Sequence, residues 1–205
     1  MTTASTSLRT VTGLDDELPS LADSTLVLID FQNTYRSGVM ALDGAEPALD
    51  AAARLLAAAR AAGIFVVHVV HDGGEGSPYD LGADSGAISP QVAPVDGEPV
   101  VVKRFPDAFH ETELAEVLRE RGAGTDLVLA GFMTHMCVTF TAQGAFKRGY
   151  RPTVVAEATA TRPLAAPDGT VVPADVLQTS ALAALGDLFG VVVPTVDALV
   201  QSPGA

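Results

Sequence analysis

The sequence predicts an α/β protein, built as a doubly wound, mostly parallel six-stranded sheet with helices on both faces. Two observations lead there. Six short runs of Val, Ile and Leu recur along the 205-residue chain, interleaved with four segments whose apolar spacing is near 3.6 and which end at or near a glycine. The strand-like runs are also uninterrupted rather than alternating, which marks strands covered on both sides, as in a parallel sheet.

In chain order, "TLVLID" (25–30) is the first expected strand, followed by a helix over "ALDAAARLLAAARAAG" (48–63). Strands over "IFVVHVV" (64–70) and "PVVVK" (99–103) precede a helix over "ETELAEVLRERG" (111–122). The strand "DLVLAG" (126–131) leads into a helix over "CVTFTAQGAFKRG" (137–149), and "PTVVAE" (152–157) into "ADVLQTSALAALGDLFG" (174–190). "GVVVP" (190–194) closes the sheet. Residues 1–22 are rich in Ser and Thr without periodicity and are expected as a flexible N-terminal arm; residues 23–205 form one domain. Two irregular segments, 71–98 and 158–173, are expected as lids, site walls or oligomer contacts.

Bulk properties narrow the function. A chain of this length buries roughly 70% of its unfolded surface, enough for one sizeable core. The formal charge of −13, from 25 acidic and 12 basic residues, repels phosphate backbones and anionic membrane surfaces, so nucleic acid and membrane are excluded as partners. The same charge suits either a cationic ligand or mere solubility. One cysteine forms no internal disulfide, and no zinc-like Cys/His spacing occurs, so a reducing, cytoplasmic setting is expected. The start, "MTTASTSLRTVTGLDDELPS", does not read as a signal peptide, and no apolar run reaches the ~18 residues of a membrane helix.

In open α/β sheets the reactive crevice lies beyond the carboxyl ends of the strands, so polar residues ending the apolar runs are the first candidates. Asp30 ends the first run, Lys103 the third, and Cys137 follows the fourth after "FMTHM". Singly, each has a structural explanation: a small core hydrophobe for the cysteine, a helix cap for the aspartate, a solvated charge for the lysine. Together they supply a nucleophile, a base and a charge partner. A cysteine at a helix start is expected to favour thiolate, and the unpaired N–H groups there suit an oxyanion.

Four segments, "LVLIDFQNTY", "VVVKRFPDAF", "GFMTHMCVTFTAQGAFKRGY" and "VVAEATATR", resemble the isochorismatase-like cysteine hydrolases over about residues 23–200. That group includes nicotinamidases, N-carbamoylsarcosine amidohydrolase, biuret hydrolases and streptothricin hydrolase. The resemblance implies an Asp30, Lys103, Cys137 triad, with Asp30 as base and Cys137 as nucleophile. It further implies a cis peptide at Phe132–Met133 and an oxyanion hole from the Met133 and Cys137 N–H groups. The implied reaction is hydrolysis of a C–N bond through a thioester, with no cofactor, by a homodimer or homotetramer. Isochorismatase itself lacks the cysteine, which points to the amidohydrolase branch. "FQNTYRSGVMAL" and "GGEGSPYDLGADSGAISPQV" are most similar to streptothricin hydrolase, implying opening of a lactam in a cationic small molecule.

The nicotinamidase metal motif, Asp-x-His, does not occur, so no metal is expected. His68 lies within a buried-looking strand and reads as a hydrogen-bonded core residue, while His71 and Asp72 end that strand on the active edge. Phe31, Gln32, Tyr35, Phe105, Phe109 and His135 flank the three central residues and are the candidates for substrate contact. Two rival classes remain beside the hydrolase: an inert binding protein on the same fold, and a flavodoxin-like binder. The latter lacks a glycine-rich phosphate loop, since "DFQNTY" follows the first strand.

Overall fold

The chain is described here by a computed structural model covering residues 3–201. Its elements are α1 (Leu8–Val11), β1 (Thr25–Ile29), α2 (Ala45–Ala61), β2 (Val66–His71), β3 (Val100–Lys103), α3 (Leu114–Glu120) and β4 (Asp126–Phe132). After these come α4 (Thr139–Lys147), β5 (Arg151–Ala160), the short strands β6 (Leu164–Ala165) and β7 (Val171–Val172), α5 (Ala174–Leu188), β8 (Val191–Val193) and α6 (Val196–Val200).

Every residue of β1 is buried, the outcome its unbroken apolar run requires. It lies inside a six-stranded sheet of order β3-β2-β1-β4-β5-β8, and all five pairings are parallel. The chain winds outward first through β2 and β3, then returns to the other side of β1 through β4. The switch between the two halves falls at the carboxyl ends of β1 and β4, where a crevice opens in such sheets. Asp30 and the "FMTHMC" turn leave from those two ends.

Helices cover both faces. On one, α2 and α6 bury Leu49, Leu55, Leu56 and Leu199 against Leu26, Leu28 and Val128. On the other, α3, α4 and α5 bring Leu114, Leu118, Ala142 and Leu185 against Val27, Ile29 and Leu129. Odd and even positions of β1 thus serve opposite cores, and truncating a buried leucine in either costs about 2–5 kcal/mol.

Three departures from the sequence reading have local causes. The described part of the arm expected to be flexible is docked. Arg9 is buried and donates to Asp16 Oδ1 (2.7 Å) and to the carbonyls of Asp15 and Leu188, while the Leu8 N–H donates to Asp187 of α5 (2.9 Å). One arginine does this work, so no apolar period announces it.

Next, β5 runs three residues past its expected end. A register shift against β4 between Leu129 and Gly131 lets pairing resume at Thr159 and Ala160. Gly131 has φ +150°, and a Cβ there would collide with the Ile29 carbonyl, so only glycine lets β4 pass β1 at this point. Finally, the expected loop 158–173 holds the β6–β7 hairpin, and Thr161 bridges to Asp43.

Candidate active site

Directly after β1 the backbone turns left-handed. Asp30 has φ 53°, a conformation that aspartate tolerates better than most residues. Its N–H still donates to the Val69 carbonyl of β2 (2.8 Å), so the residue is fixed to the sheet, and its side chain is wholly buried.

Lys103 stands two strands away on β3, with β2 between. Its fully buried side chain crosses the end of β2 and brings Nζ to 2.7 Å from Asp30 Oδ2, 3.3 Å from Cys137 Sγ and 3.3 Å from His71 Nδ1. An ammonium has three N–H donors and here faces three partners. Because an ammonium only donates, His71 Nδ1 must accept, which makes the imidazole neutral with its proton on Nε2. Burial first, then the Lys103 charge, holds His71 below the usual histidine range, in agreement.

Cys137 comes from the third element, beyond β4. The sequence reading starts a helix at Cys137; instead a π-type turn begins at Thr134 and runs through Val138 into α4. The Met133 carbonyl accepts from both Met136 (3.0 Å) and Val138 (3.2 Å), which closes the turn around the cysteine. The Phe132–Met133 peptide is cis, and the Met133 N–H has no backbone acceptor among the described residues.

The electrostatics reverse one expectation. A helix start was expected to favour thiolate, but burial, and next the Asp30 carboxylate, push the Cys137 thiol well above its ordinary range; Lys103 opposes without prevailing. For Lys103 the balance differs. Burial alone would lower it, yet Asp30 and then Cys137 outweigh that and raise it, so it stays charged. The resting cluster is therefore an ion pair beside a neutral thiol. Apart from the Lys103 ion pair and the thiol within reach, the Asp30 oxygens have no hydrogen-bond partner among the described residues. Buried carboxylates usually collect two or three donors. This one has fewer among the described residues.

The flanking candidates separate. Gln32 is fully buried and spends its amide on the backbone, donating to the His71 and Gly86 carbonyls (2.9 and 2.8 Å) and accepting from the His71 N–H (2.9 Å). It ties the 71–98 loop to the site and has no group left for a substrate. Phe31 and Tyr35 pack edge-on against Phe132, with centroids 4.8 and 5.5 Å apart, and belong to the core floor. Phe109 is buried, stacked on Tyr150, with Arg148 over its ring. Phe105 is 47% exposed beside His110, outside the cluster. His135 does reach the rim, where its Nδ1 lies 2.5 Å from Thr161 Oγ1.

Two rim residues escaped the sequence reading. Tyr79 stands edge-on to both His71 (4.9 Å) and Tyr35 (5.7 Å). Arg162, two residues past β5, has charge that bears on His135 and on Tyr79. The signal for Arg162 was partial: a polar residue shortly after an apolar run that Glu157 and Thr159 interrupt. A cleft of about 740 Å³ between Arg36, Ser77 and Asp84 is lined by none of Asp30, Lys103 and Cys137. Among the described residues no three potential metal ligands cluster together.

The fold is a doubly wound α/β sheet whose crevice joins a thiol, a carboxylate and an ammonium. The chain belongs to the isochorismatase family: residues 24–194 match its Isochorismatase domain. A secreted isochorismatase effector of Verticillium dahliae is 34% identical over 192 residues, 93% of this chain and 98% of that protein. A streptothricin hydrolase of Streptomyces noursei is 35% identical over 79% of this chain and 65% of its own length. Further relatives are named maleamate amidohydrolase and ureidoacrylate amidohydrolase. Among solved structures, an isochorismatase from Pseudomonas putida superposes with a TM-score of 0.89 at 40% identity, covering 93% of this chain and 97% of that one. The family is one of hydrolases, several of them amidohydrolases. Among the described residues, no helix is long and apolar enough to cross a membrane.

Proposed function

We propose that the protein hydrolyses a C–N bond of a small amide, ureide or lactam through a thioester on Cys137. The observation that carries this reading is the convergence of three buried side chains from three strand ends, with Lys103 Nζ 2.7 Å from Asp30 and 3.3 Å from the Cys137 sulfur.

The electrostatics suggest the order of events. A thiolate beside Asp30 would be a second buried anion against one ammonium, so the thiol does not ionise in advance. Asp30 takes the proton as sulfur bonds to the carbonyl carbon. Charge gathers on the carbonyl oxygen, and the Met133 and Cys137 N–H groups are the donors assigned to it. The tetrahedral intermediate collapses, the C–N bond breaks, and the leaving nitrogen takes the proton from Asp30. Water then gives a proton to Asp30 as it attacks the thioester, and the thiol leaves carrying that proton back. The thiol's own proton leaves with the amine and is replaced by one from the water consumed, so Asp30 and Cys137 end the cycle in the states in which they began it.

Lys103 keeps Asp30 and Cys137 in register and supplies the one positive charge. Streptothricin-type lactam opening is the substrate assignment that the relatives and the segments after β1 and β2 support. The sole thiol has no disulfide partner, which suits a reducing, cytoplasmic setting. The test is ammonia or amine release from a panel of amides, ureides and lactams, with rapid acid quench and intact mass to trap the acyl adduct. Undiminished turnover by Cys137→Ala would sink the mechanism.

A further inference from the structure

His71 and Lys103 are register partners at the ends of the neighbouring strands β2 and β3, so their side chains leave the same face of the sheet side by side. There the lysine meets Asp30 Oδ2 (2.7 Å), Cys137 Sγ (3.3 Å) and His71 Nδ1 (3.3 Å), one partner for each of its three N–H groups. Asp30 and Cys137 are the groups of the proposed reaction. His71 takes no part in it, yet it holds one of the three ammonium donors.

His71 is itself held from two sides. Its N–H donates to Gln32 Oε1 (2.9 Å), its carbonyl accepts from Gln32 Nε2 (2.9 Å), and Gln32 is wholly buried. The Gln32 N–H donates in turn to the Asp30 carbonyl (2.8 Å). These contacts close a ring: Asp30 to Gln32, Gln32 to His71, His71 to Lys103, and Lys103 back to Asp30. Reacting groups have to be held within about 0.5 Å of a productive arrangement, and a closed ring of bonds does that. Its Gln32 links are amide and backbone, which do not titrate. The imidazole is the link whose hydrogen-bonding state changes near neutral pH.

We propose that His71 is the positioning residue of Lys103: its neutral Nδ1 holds the ammonium between Asp30 and Cys137, and a protonated ring releases it. The proposal rests on the hydrolytic reading for the roles of Asp30 and Cys137, and adds a condition under which the site disengages. Protonation removes the Nδ1 lone pair and sets a second cation 3.3 Å from the first. The groups facing the ring decide when that happens. Burial and Lys103 oppose it, while Asp30 and Asp72 favour it. Asp72 is already paired to Arg104 (2.8 Å), Tyr79 meets the ring edge-on (4.9 Å), and the neutral Cys137 thiol lies beyond Lys103. Burial and Lys103 prevail, so the ring titrates below the ordinary histidine value of 6.5 and is neutral above it.

The chain has two lysines, Lys103 buried and Lys147 exposed, which lets the ammonium be read without a substrate. In protein carrying nitrogen-labelled lysine, the ammonium protons of Lys147 exchange with water too fast to follow, whereas those of Lys103 are held by hydrogen bonds and give a proton–nitrogen NMR signal. Asn places an acceptor where the ring has Nδ1, and Gln places its amide where the ring has Nε2. At neutral pH the Lys103 signal is expected in the wild type and in His71→Asn. Exchange should be about tenfold or more faster in His71→Gln and His71→Leu, the protection of one hydrogen bond made by a charged group. Acidifying the wild type should shift the signal and speed its exchange, with a midpoint below 6.5. His71→Asn should abolish that step, and His135→Asn, on the turn that carries Cys137, should leave it in place.

The proposal is overturned by a wild type without a protected Lys103 signal, by equal exchange in wild type, His71→Gln and His71→Leu, or by an acid step that survives in His71→Asn. Protection kept by His71→Gln and lost in His71→Asn also overturns it. No turnover is needed, so its failure differs from that of the hydrolytic reading. Failure here beside wild-type hydrolysis that Cys137→Ala abolishes removes the role of His71 alone.

Discussion

Strand β2 carries two histidines three residues apart, and strand alternation sends them to opposite faces, each into a charged cluster. Around His68 everything is paired. Its Nε2 lies 2.9 Å from Glu98, which also takes two bonds from Arg60 (both 2.8 Å) and the Val95 N–H (3.1 Å). Burial works against the Glu98 charge, yet the Arg60 and His68 hydrogen bonds prevail and bring the carboxyl down to about 2. Around His71 the pairing is incomplete: beyond Lys103 and the thiol, Asp30 has no further donor among the described residues, and the thiol is held protonated. The same strand therefore shows two uses of buried charge. A satisfied cluster fastens the edge strand's approach to the sheet, and an under-satisfied one keeps a proton acceptor available.

The largest expected effect lies on the His71 side. Cys137→Ala should lower turnover by more than about 10⁴-fold while thermal unfolding stays cooperative, since in the proposed mechanism the lost group is the nucleophile. Asp30→Asn should cost about 10²- to 10⁴-fold, the range for a general base. It should also lower the thiol's pKa, because Asp30 is one of the groups holding it up. Absorbance at 240 nm checks this cleanly in a one-cysteine chain: the wild type should show no thiolate step between about pH 7 and 9.5, and the variant's step should move down. A wild-type step near the ordinary cysteine value would erase the contrast between the clusters.

Smaller effects sharpen the comparison on the stability side. Gly131→Ala sets a methyl against the Ile29 carbonyl and should destabilise by about 3 kcal/mol, read by chemical denaturation. Glu98→Gln should cost roughly 1–2 kcal/mol at neutral pH, a figure reduced because Arg60 is a third exposed. The sign follows from a depressed carboxyl. Its contribution is complete above its ordinary value of 4.5 and fades as pH falls toward about 2. The gap between wild type and Glu98→Gln should close over that window, and a gap that persists at the acid end would mean the cluster works by packing rather than charge.

Much of the cluster was legible because parallel strands announce themselves as apolar runs and the residue ending each run has nowhere to go but the crevice. Asp30 and Lys103 satisfy that rule, and Cys137 follows the end of β4 by one turn. Arg162, two residues past β5, was missed because the apolar run of that strand is interrupted by Glu157 and Thr159. The rule fails in the other direction for Gln32 and Phe31. Proximity in sequence to Asp30 says nothing about which way a left-handed turn sends them, and they went into scaffold and core. Phe105 and Phe109 follow Lys103 out of the sheet, one to the surface and one beneath Arg148.

The sequence by itself determined the doubly wound sheet, the strand ends that meet at the crevice, the family, and the identity of the three buried groups, because these depend on hydrophobic period and residue chemistry. Only the tertiary structure decided the protonation state of the thiol and the tautomer of His71. It also decided which polar neighbours are spent on backbone and, among the described residues, which guanidinium keeps a buried N–H without a hydrogen bond. Those properties depend on burial and on distances of about 3 Å between residues far apart in the chain, and no local pattern encodes them.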